Sequence, residues 1–252
     1  MIVYLPPGYN SAEERRYPVL YLHDGQNLFD AATAFAGNEW GLDELAEELI
    51  ETGQIEPLII VGVYNSGLKR MAEYTHIQDR RGRGGRARVY GKLIVENLKP
   101  FIDTEYRTLP DAANSGLGGS SLGGLVTLYI GLHYPQVFGK LIVMSPSVWW
   151  ANRAILREVR KLHNKSHQKI WLDIGTCEGQ NPETCVKNVK DLRDALVVKG
   201  WHDGHDLRFV EDQGAGHNER AWGFRMRDAL TFLFPASELT SRDGRPVFDG
   251  AG

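Results

Sequence analysis

Short apolar runs and amphipathic helical patterns take turns along this chain, and that alternation constrains the fold more than any other feature. Residues 17–23, Tyr-Pro-Val-Leu-Tyr-Leu-His, form a mostly apolar run without polar alternation, as a strand buried on both faces requires. Further strands are predicted at 57–63, 140–144, 169–174 and 206–210, with one leading into Gly118-Gly119. Met1-Ile2-Val3-Tyr4-Leu5 reads as another, stopped by Pro6-Pro7-Gly8. Between them, Leu42, Leu45, Ala46 and Leu49 recur at helical spacing within 38–52, and Gly53 ends that pattern. A long polar stretch, 65–86, leads into a helix carrying Tyr90, Leu93, Ile94, Leu98, Phe101 and Ile102. Helices are also predicted at 121–133, 151–162, 182–198 and 219–234. Strands alternating with helices in this way build βαβ units, hence a mostly parallel sheet with helices on both faces.

Composition narrows the setting. The 252 residues are 42% hydrophobic and 24% charged, enough for one α/β domain with a full core. Residues 1–235 are expected to form that domain and 236–252 a mostly polar, frayed tail. A net charge of −3 gives no electrostatic footprint for nucleic acid or an anionic membrane. The local exception is Arg80-Arg81-Gly82-Arg83-Gly84-Gly85-Arg86-Ala87-Arg88, expected to be a solvated, mobile loop. No apolar segment reaches bilayer length and no signal peptide is visible, so a cytoplasmic protein is the simplest reading. A secreted chain trimmed of its leader would read the same. Cys177 and Cys185 are expected to be free thiols rather than a disulfide framework or a metal site. No cofactor or metal is expected, and a homo-oligomer is allowed but not indicated.

The chemistry starts at Gly118-Gly119-Ser120-Ser121-Leu122-Gly123-Gly124-Leu125, where a strand turns into a helix. In a parallel α/β sheet, ligands bind beyond the carboxyl ends of the strands. The nucleophile-elbow spacing G-x-S-x-G fits with Ser121 at its centre; centring on Ser120 would need glycine at 122, where the chain has leucine. Glycines two residues to either side let strand and helix backbones approach without a Cβ between them. Ser121 is therefore the expected nucleophile. No Lys-Ser/Thr follows the glycines, which argues against a phosphate-binding loop.

A serine hydroxyl needs a histidine base, and the histidine an orienting acid. In this kind of fold they follow in the order serine, acid, histidine. Of the later histidines, His133 lies within the helix that begins at Ser121, and His163 and His167 lack the glutamate of a zinc helix. His217, in Gly214-Ala215-Gly216-His217-Asn218, follows the last strand in a loop able to reach across the strand ends, and is preferred over His202 and His205. Glu178 is the first candidate acid, in the loop after the strand ending at Ile174, ahead of Asp173, Glu211 and Asp212. Asp173 is expected to face a helix layer. An oxyanion hole needs two backbone N–H groups. Leu122, after the nucleophile, supplies one; Gln26, in His23-Asp24-Gly25-Gln26-Asn27, is expected to supply the other, with His23 and Asp24 shaping that turn.

With these residues assembled, the chain resembles the putative-esterase family of α/β-hydrolases. That family includes enterochelin, feruloyl and acetylxylan esterases, esterase D type S-formylglutathione hydrolases and mycolyltransferases. The resemblance runs from about Val3 to Phe234. It rests on Val3-Tyr4-Leu5-Pro6-Pro7-Gly8-Tyr9, Tyr21-Leu22-His23-Asp24-Gly25-Gln26-Asn27-Leu28-Phe29-Asp30, Glu73-Tyr74-Thr75, the 118–125 motif, Ser145-Pro146-Ser147-Val148-Trp149-Trp150, Gly175-Thr176-Cys177-Glu178 and Gly216-His217-Asn218. It implies an α/β-hydrolase fold with Ser121, Glu178 and His217 as triad and Gln26 and Leu122 as oxyanion donors. Two departures stand out. His76 follows Glu73-Tyr74-Thr75 where the family has proline, and the chain opens directly on a strand, so about seven strands with a short N-terminal edge are expected.

No large cap is inserted between the strand ending at Met144 and the helix after Trp150, so an open site is expected. Trp149, Trp150 and Trp222 fit a pocket wall and core packing equally well; Arg70 and Tyr74, from the 66–74 loop, are further pocket candidates. The leading expectation is a serine carboxylic-ester hydrolase acting through an acyl-enzyme on a small-molecule ester, with a short acyl or an aryl (feruloyl-, acetyl- or siderophore-type) group. The alternatives are an acyltransferase using the same triad with an alcohol acceptor, and a catalytically silent binding module.

Overall fold

Along the strand Val19–His23 every residue is buried, and successive side chains go to opposite layers, Val19 and Tyr21 to one, Leu20 and Leu22 to the other. This explains the unbroken apolar run: both faces are covered. The computed structural model describes residues 1–236, so all but the first residue of the polar tail expected at 236–252 lies outside the described residues. Seven strands form one sheet: β1 (Ile2–Tyr4), β2 (Val19–His23), β3 (Ile59–Val63), β4 (Ser115–Ser120), β5 (Lys140–Met144), β6 (Lys169–Gly175) and β7 (Leu207–Asp212). They lie in the order β1-β3-β2-β4-β5-β6-β7, all parallel except β1, which runs antiparallel to β3 as the short N-terminal edge.

The helices are α1 (Leu42–Glu51), α2 (Arg70–Glu73), α3 (Ala87–Leu93), α4 (Lys99–Glu105), α5 (Leu122–His133), α6 (Trp150–Lys161), α7 (Pro182–Val198) and α8 (Glu219–Leu233). One face of the sheet packs under α3, α5, α6 and α7 through Leu117, Leu125, Leu141, Val143, Ile155 and Leu192. The other packs under α1 and α8 through Leu22, Ile142, Met144, Leu49, Met226 and Leu230. Among the described residues no large cap covers the strand ends, and no helix is long and apolar enough to cross a membrane.

Three local readings change. The first helix starts at Leu42 rather than Asn38, because Trp40 and Leu42 donate their amides to Asn27 and Leu28, tying 38–41 to the loop after β2. The helix through Tyr90 and Ile102 widens into a π-turn at Ile94–Leu98, just before Pro100, whose ring would crowd the carbonyl four residues back in a regular α-helix. The arginine-rich run is largely exposed, as expected, but it is held by local bonds rather than free. Asp79 accepts the amides of Arg81 and Arg83 and pairs with the Arg83 guanidinium, and Gly84 packs against Trp150.

The elbow shows which glycine the tight turn needs. A Cβ on Gly119 would lie 3.1 Å from the Gly123 carbonyl carbon, and one on Gly124 only 2.7 Å from the Met144 carbonyl oxygen. One on Gly123 would meet nothing nearer than Asp24 Oδ2 at 3.4 Å, an ordinary contact. The second glycine of the motif's spacing is thus not the tight one; its neighbour is. Gly124→Ala is expected to cost about 1–3 kcal/mol through overpacking. Gly123→Ala should stay within about 1 kcal/mol of wild type, since alanine also favours the helix. Urea melts of the two variants check this, and equal losses would contradict it.

Candidate active site

Ser121 sits between the last residue of β4 and the first of α5, with φ 59° and ψ −120°. A non-glycine residue occupies that region only when its surroundings impose it, at a cost of about 1–3 kcal/mol. Here three backbone bonds do so: Ser121 donates to the Met144 carbonyl at 3.0 Å, and its own carbonyl accepts from Ser147 at 3.0 Å and Leu125 at 3.1 Å. The turn lifts the Ser121 hydroxyl above the strand ends.

Two loops reach it. His217, between β7 and α8, brings Nε2 to 2.9 Å from Ser121 Oγ, and its Nδ1 lies 2.7 Å from Glu178 Oε2. A carboxylate oxygen accepts, so Nδ1 donates and Nε2 is left to accept a hydrogen bond from the Ser121 hydroxyl. Glu178 follows β6 and is buried, whereas the His217 ring is partly exposed. Its Oε1 accepts from the Gly175 amide at 2.7 Å and from the Ser145 hydroxyl at 2.6 Å. The edge of Trp222 packs on the His217 ring at 4.8 Å between centroids.

The other carboxylates have different partners. Asp173 does face a helix layer: fully buried, it accepts from Trp171 Nε1 at 2.7 Å and from the Ser145 amide at 3.0 Å, and it meets Arg225 of α8 at 3.1 Å. Burial pushes its carboxyl up to about 6, with Arg225 working in the opposite direction. Glu211 pairs with Lys190, and Asp212 with Arg225. His133 bonds the Tyr129 carbonyl within α5.

The loop after β2 brings Gln26 to the same opening. Asp24 takes a left-handed φ of 57°, and its carboxylate accepts from Arg70 at 2.6 and 2.7 Å and from Asn65 at 2.7 Å. Gly25 has no room for a side chain, since a Cβ would lie 2.2 Å from the Gly62 carbonyl carbon of β3. Beneath, His23 bonds the Tyr90 hydroxyl at 2.9 Å, and burial lowers its pKa to about 4, so it stays neutral. The Leu122 amide opens α5 and has no preceding turn to bond to.

Two hollows meet at Ser121 and His217. One, of about 250 Å³, is walled by Pro146, Val148, Trp149, Ile174 and Cys185. The other, of about 320 Å³, is walled by Gln26, Phe35, Asn65, Arg70, Glu219 and Trp222. Of the five pocket candidates, Trp149, Arg70 and Trp222 line these hollows. Trp150 and Tyr74 do not: Trp150, 2% exposed, donates to the Ile77 carbonyl within the core. Tyr74, fully buried, accepts the Asp24 amide under Arg70. Both cysteines are unpaired. Residues that spacing did not single out are Ser145 and Arg225. Ser145 stands at a strand end, and Arg225 interrupts the apolar stripe of Trp222, Met226, Ala229 and Leu230; that interruption was the available signal.

A mostly parallel sheet with a serine elbow after β4, an acid after β6 and a histidine after β7 is the arrangement of an α/β-hydrolase. The model of the family described as putative esterase matches residues 1–233, and the chain belongs to that family. It is an ester hydrolase. It is 29% identical to the ferri-bacillibactin esterase BesA of Bacillus subtilis over 80% of this chain and 73% of that protein. It is 27% identical to an endo-1,4-beta-xylanase/feruloyl esterase of Xylanibacter ruminicola over 87% of this chain but 27% of that protein. In fold it is similar to an IroE-like serine hydrolase from Shewanella oneidensis, with a TM-score of 0.73 at 23% identity, covering 92% of this chain and 74% of that one.

Proposed function

We propose that the protein is a serine carboxylic-ester hydrolase working through an acyl-enzyme, with Ser121 as nucleophile, His217 as base and Glu178 as the acid that orients it. The observation that carries this is the unbroken chain Ser121 Oγ–His217 Nε2–His217 Nδ1–Glu178 Oε2, at 2.9 and 2.7 Å. His217 takes the Ser121 proton as Oγ attacks the ester carbonyl. The amides of Leu122 and Gln26 receive the developing oxyanion, and the imidazolium then protonates the departing alcohol. Water, deprotonated by His217, attacks the acyl-enzyme; the carboxylic acid leaves and Ser121 regains its proton.

The substrate we infer is an ester of a short acyl or an aryl acid. The apolar hollow of about 250 Å³ beside Ser121 supports this, because it suits a compact acyl or single-ring group rather than a long chain. The related ferri-bacillibactin and feruloyl esterases make siderophore and feruloyl esters the first compounds to try. Rapid mixing with p-nitrophenyl acetate tests the mechanism. A p-nitrophenol burst stoichiometric with enzyme, and an acetylated peptide containing Ser121 in quenched samples, are expected. Turnover with the acetyl group on any other residue would overturn the assignment.

A further inference from the structure

Ser145 opens the turn after β5, buried, with a left-handed φ of 40° that a serine adopts only under constraint. Its amide is held by Asp173 Oδ1 at 3.0 Å. Its hydroxyl meets three groups: Trp222 Nε1 at 3.0 Å, Arg225 Nη2 at 2.7 Å and Glu178 Oε1 at 2.6 Å. An indole N–H and a guanidinium N–H can only donate, so the oxygen accepts both, filling its two lone pairs. Its single proton then has one destination, Glu178 Oε1. That oxygen also accepts from the Gly175 amide at 2.7 Å, which leaves Oε2 for His217.

We propose that Ser145 is a positioning residue whose directionally locked hydroxyl fixes Glu178 so that Oε2 faces His217 Nδ1, thereby selecting the histidine tautomer whose bare Nε2 faces Ser121. The inference rests on the reading of Ser121, His217 and Glu178 as the catalytic groups. Ser145 touches neither Ser121 nor His217 in the hydrogen-bond network and acts only through Glu178. Arg225 and Trp222 supply the direction: without two donors on the oxygen, the hydroxyl could turn away from the carboxylate. The charged groups around this point are Glu178 and Asp173 from the β6 side, Asp212 from β7 and Arg225 from α8.

The test compares wild type, Ser145→Ala and Ser145→Gly. Glycine tolerates a positive φ, so the second variant separates loss of the hydroxyl from any effect of alanine on the turn. With p-nitrophenyl acetate, kcat is expected to fall about 10–100-fold in both variants, below the roughly 10⁴-fold cost of a wrong tautomer, while KM stays within about twofold. The low-field proton NMR resonance of the His217 Nδ1–H, present in wild type, should disappear from both. An unchanged kcat overturns the proposal, and so does a reduced kcat with that resonance intact. Ser121→Ala and His217→Ala run alongside. If either keeps wild-type activity, the catalytic reading itself fails, whereas inactive controls with a fully active Ser145 variant sink this inference alone.

Discussion

Ser121→Ala is expected to lower kcat for p-nitrophenyl acetate by about 10⁴-fold or more while leaving the thermal melt nearly unchanged. The two halves of that result have separate causes. On the proposed mechanism, rate falls because the variant lacks the oxygen that would carry the acyl group. Ser147 Oγ lies 3.4 Å from Ser121 Oγ, but His217 Nε2 is directed at Ser121. Stability holds because the strained elbow is held by backbone bonds to Met144, Leu125 and Ser147, none of which needs the hydroxyl. Alanine meets the same φ of 59° with the same Cβ. Steady-state rates and a melting curve on one preparation check both halves, and a variant as active as wild type would remove Ser121 from the mechanism.

Arg225→Met should have the largest effect on stability, a loss of about 3–5 kcal/mol at neutral pH, because it leaves buried carboxylates without their cation. The Arg225 guanidinium is buried and reaches Asp173, Asp212 and, at 3.6 Å, Glu178. The loss should also depend on pH in a defined direction. Burial raises the Asp173 carboxyl from 3.8 to about 6, so between those values the folded chain binds more protons than the unfolded one. The contribution of Asp173 is therefore fully present below its unfolded value and is lost as pH rises through its folded value. Removing Arg225 removes the charge that opposes burial, so the folded value climbs further and the loss extends towards neutrality. The deficit of the variant should be largest at neutral pH and narrow on acidification to about pH 5. Urea melts at both pH values test this; a deficit that is pH-independent, or below about 1 kcal/mol, would contradict it.

Much of the fold was legible because its signals are local. Uninterrupted apolar runs marked strands covered on both faces, and helix 182–198 was bounded by its own proline and polar residues. The loops were less legible where backbone groups have distant partners. Residues 38–41 look helical by their neighbours, but the Trp40 amide is used by Asn27 and that of Leu42 by Leu28, and α2 was hidden in a polar stretch because its Arg70 answers to Asp24, 46 residues away. Tyr74 and Trp150 read as pocket residues for a similar reason. Aromatic side chains beside a site look the same in sequence whether they face the hollow or the layer beneath it.

By itself the sequence determined the elbow. G-x-S-x-G between a strand and a helix selects Ser121 over Ser120 because steric and hydrogen-bond rules act across only a few residues. The alternation of runs likewise determined a parallel sheet, and chain order pointed to Glu178 and His217 as its partners. Tertiary structure alone decided how those groups meet, since the contacts of His217 span 39 residues to Glu178 and 96 to Ser121. It also decided that the tight glycine is Gly124, that two hollows flank Ser121, and that Ser145 and Arg225 stand behind Glu178. Spacing along the chain encodes neighbours on one strand or helix, but the direction of the buried Ser145 hydroxyl depends on two donors from α8 and an acceptor after β6, groups far from it in the chain.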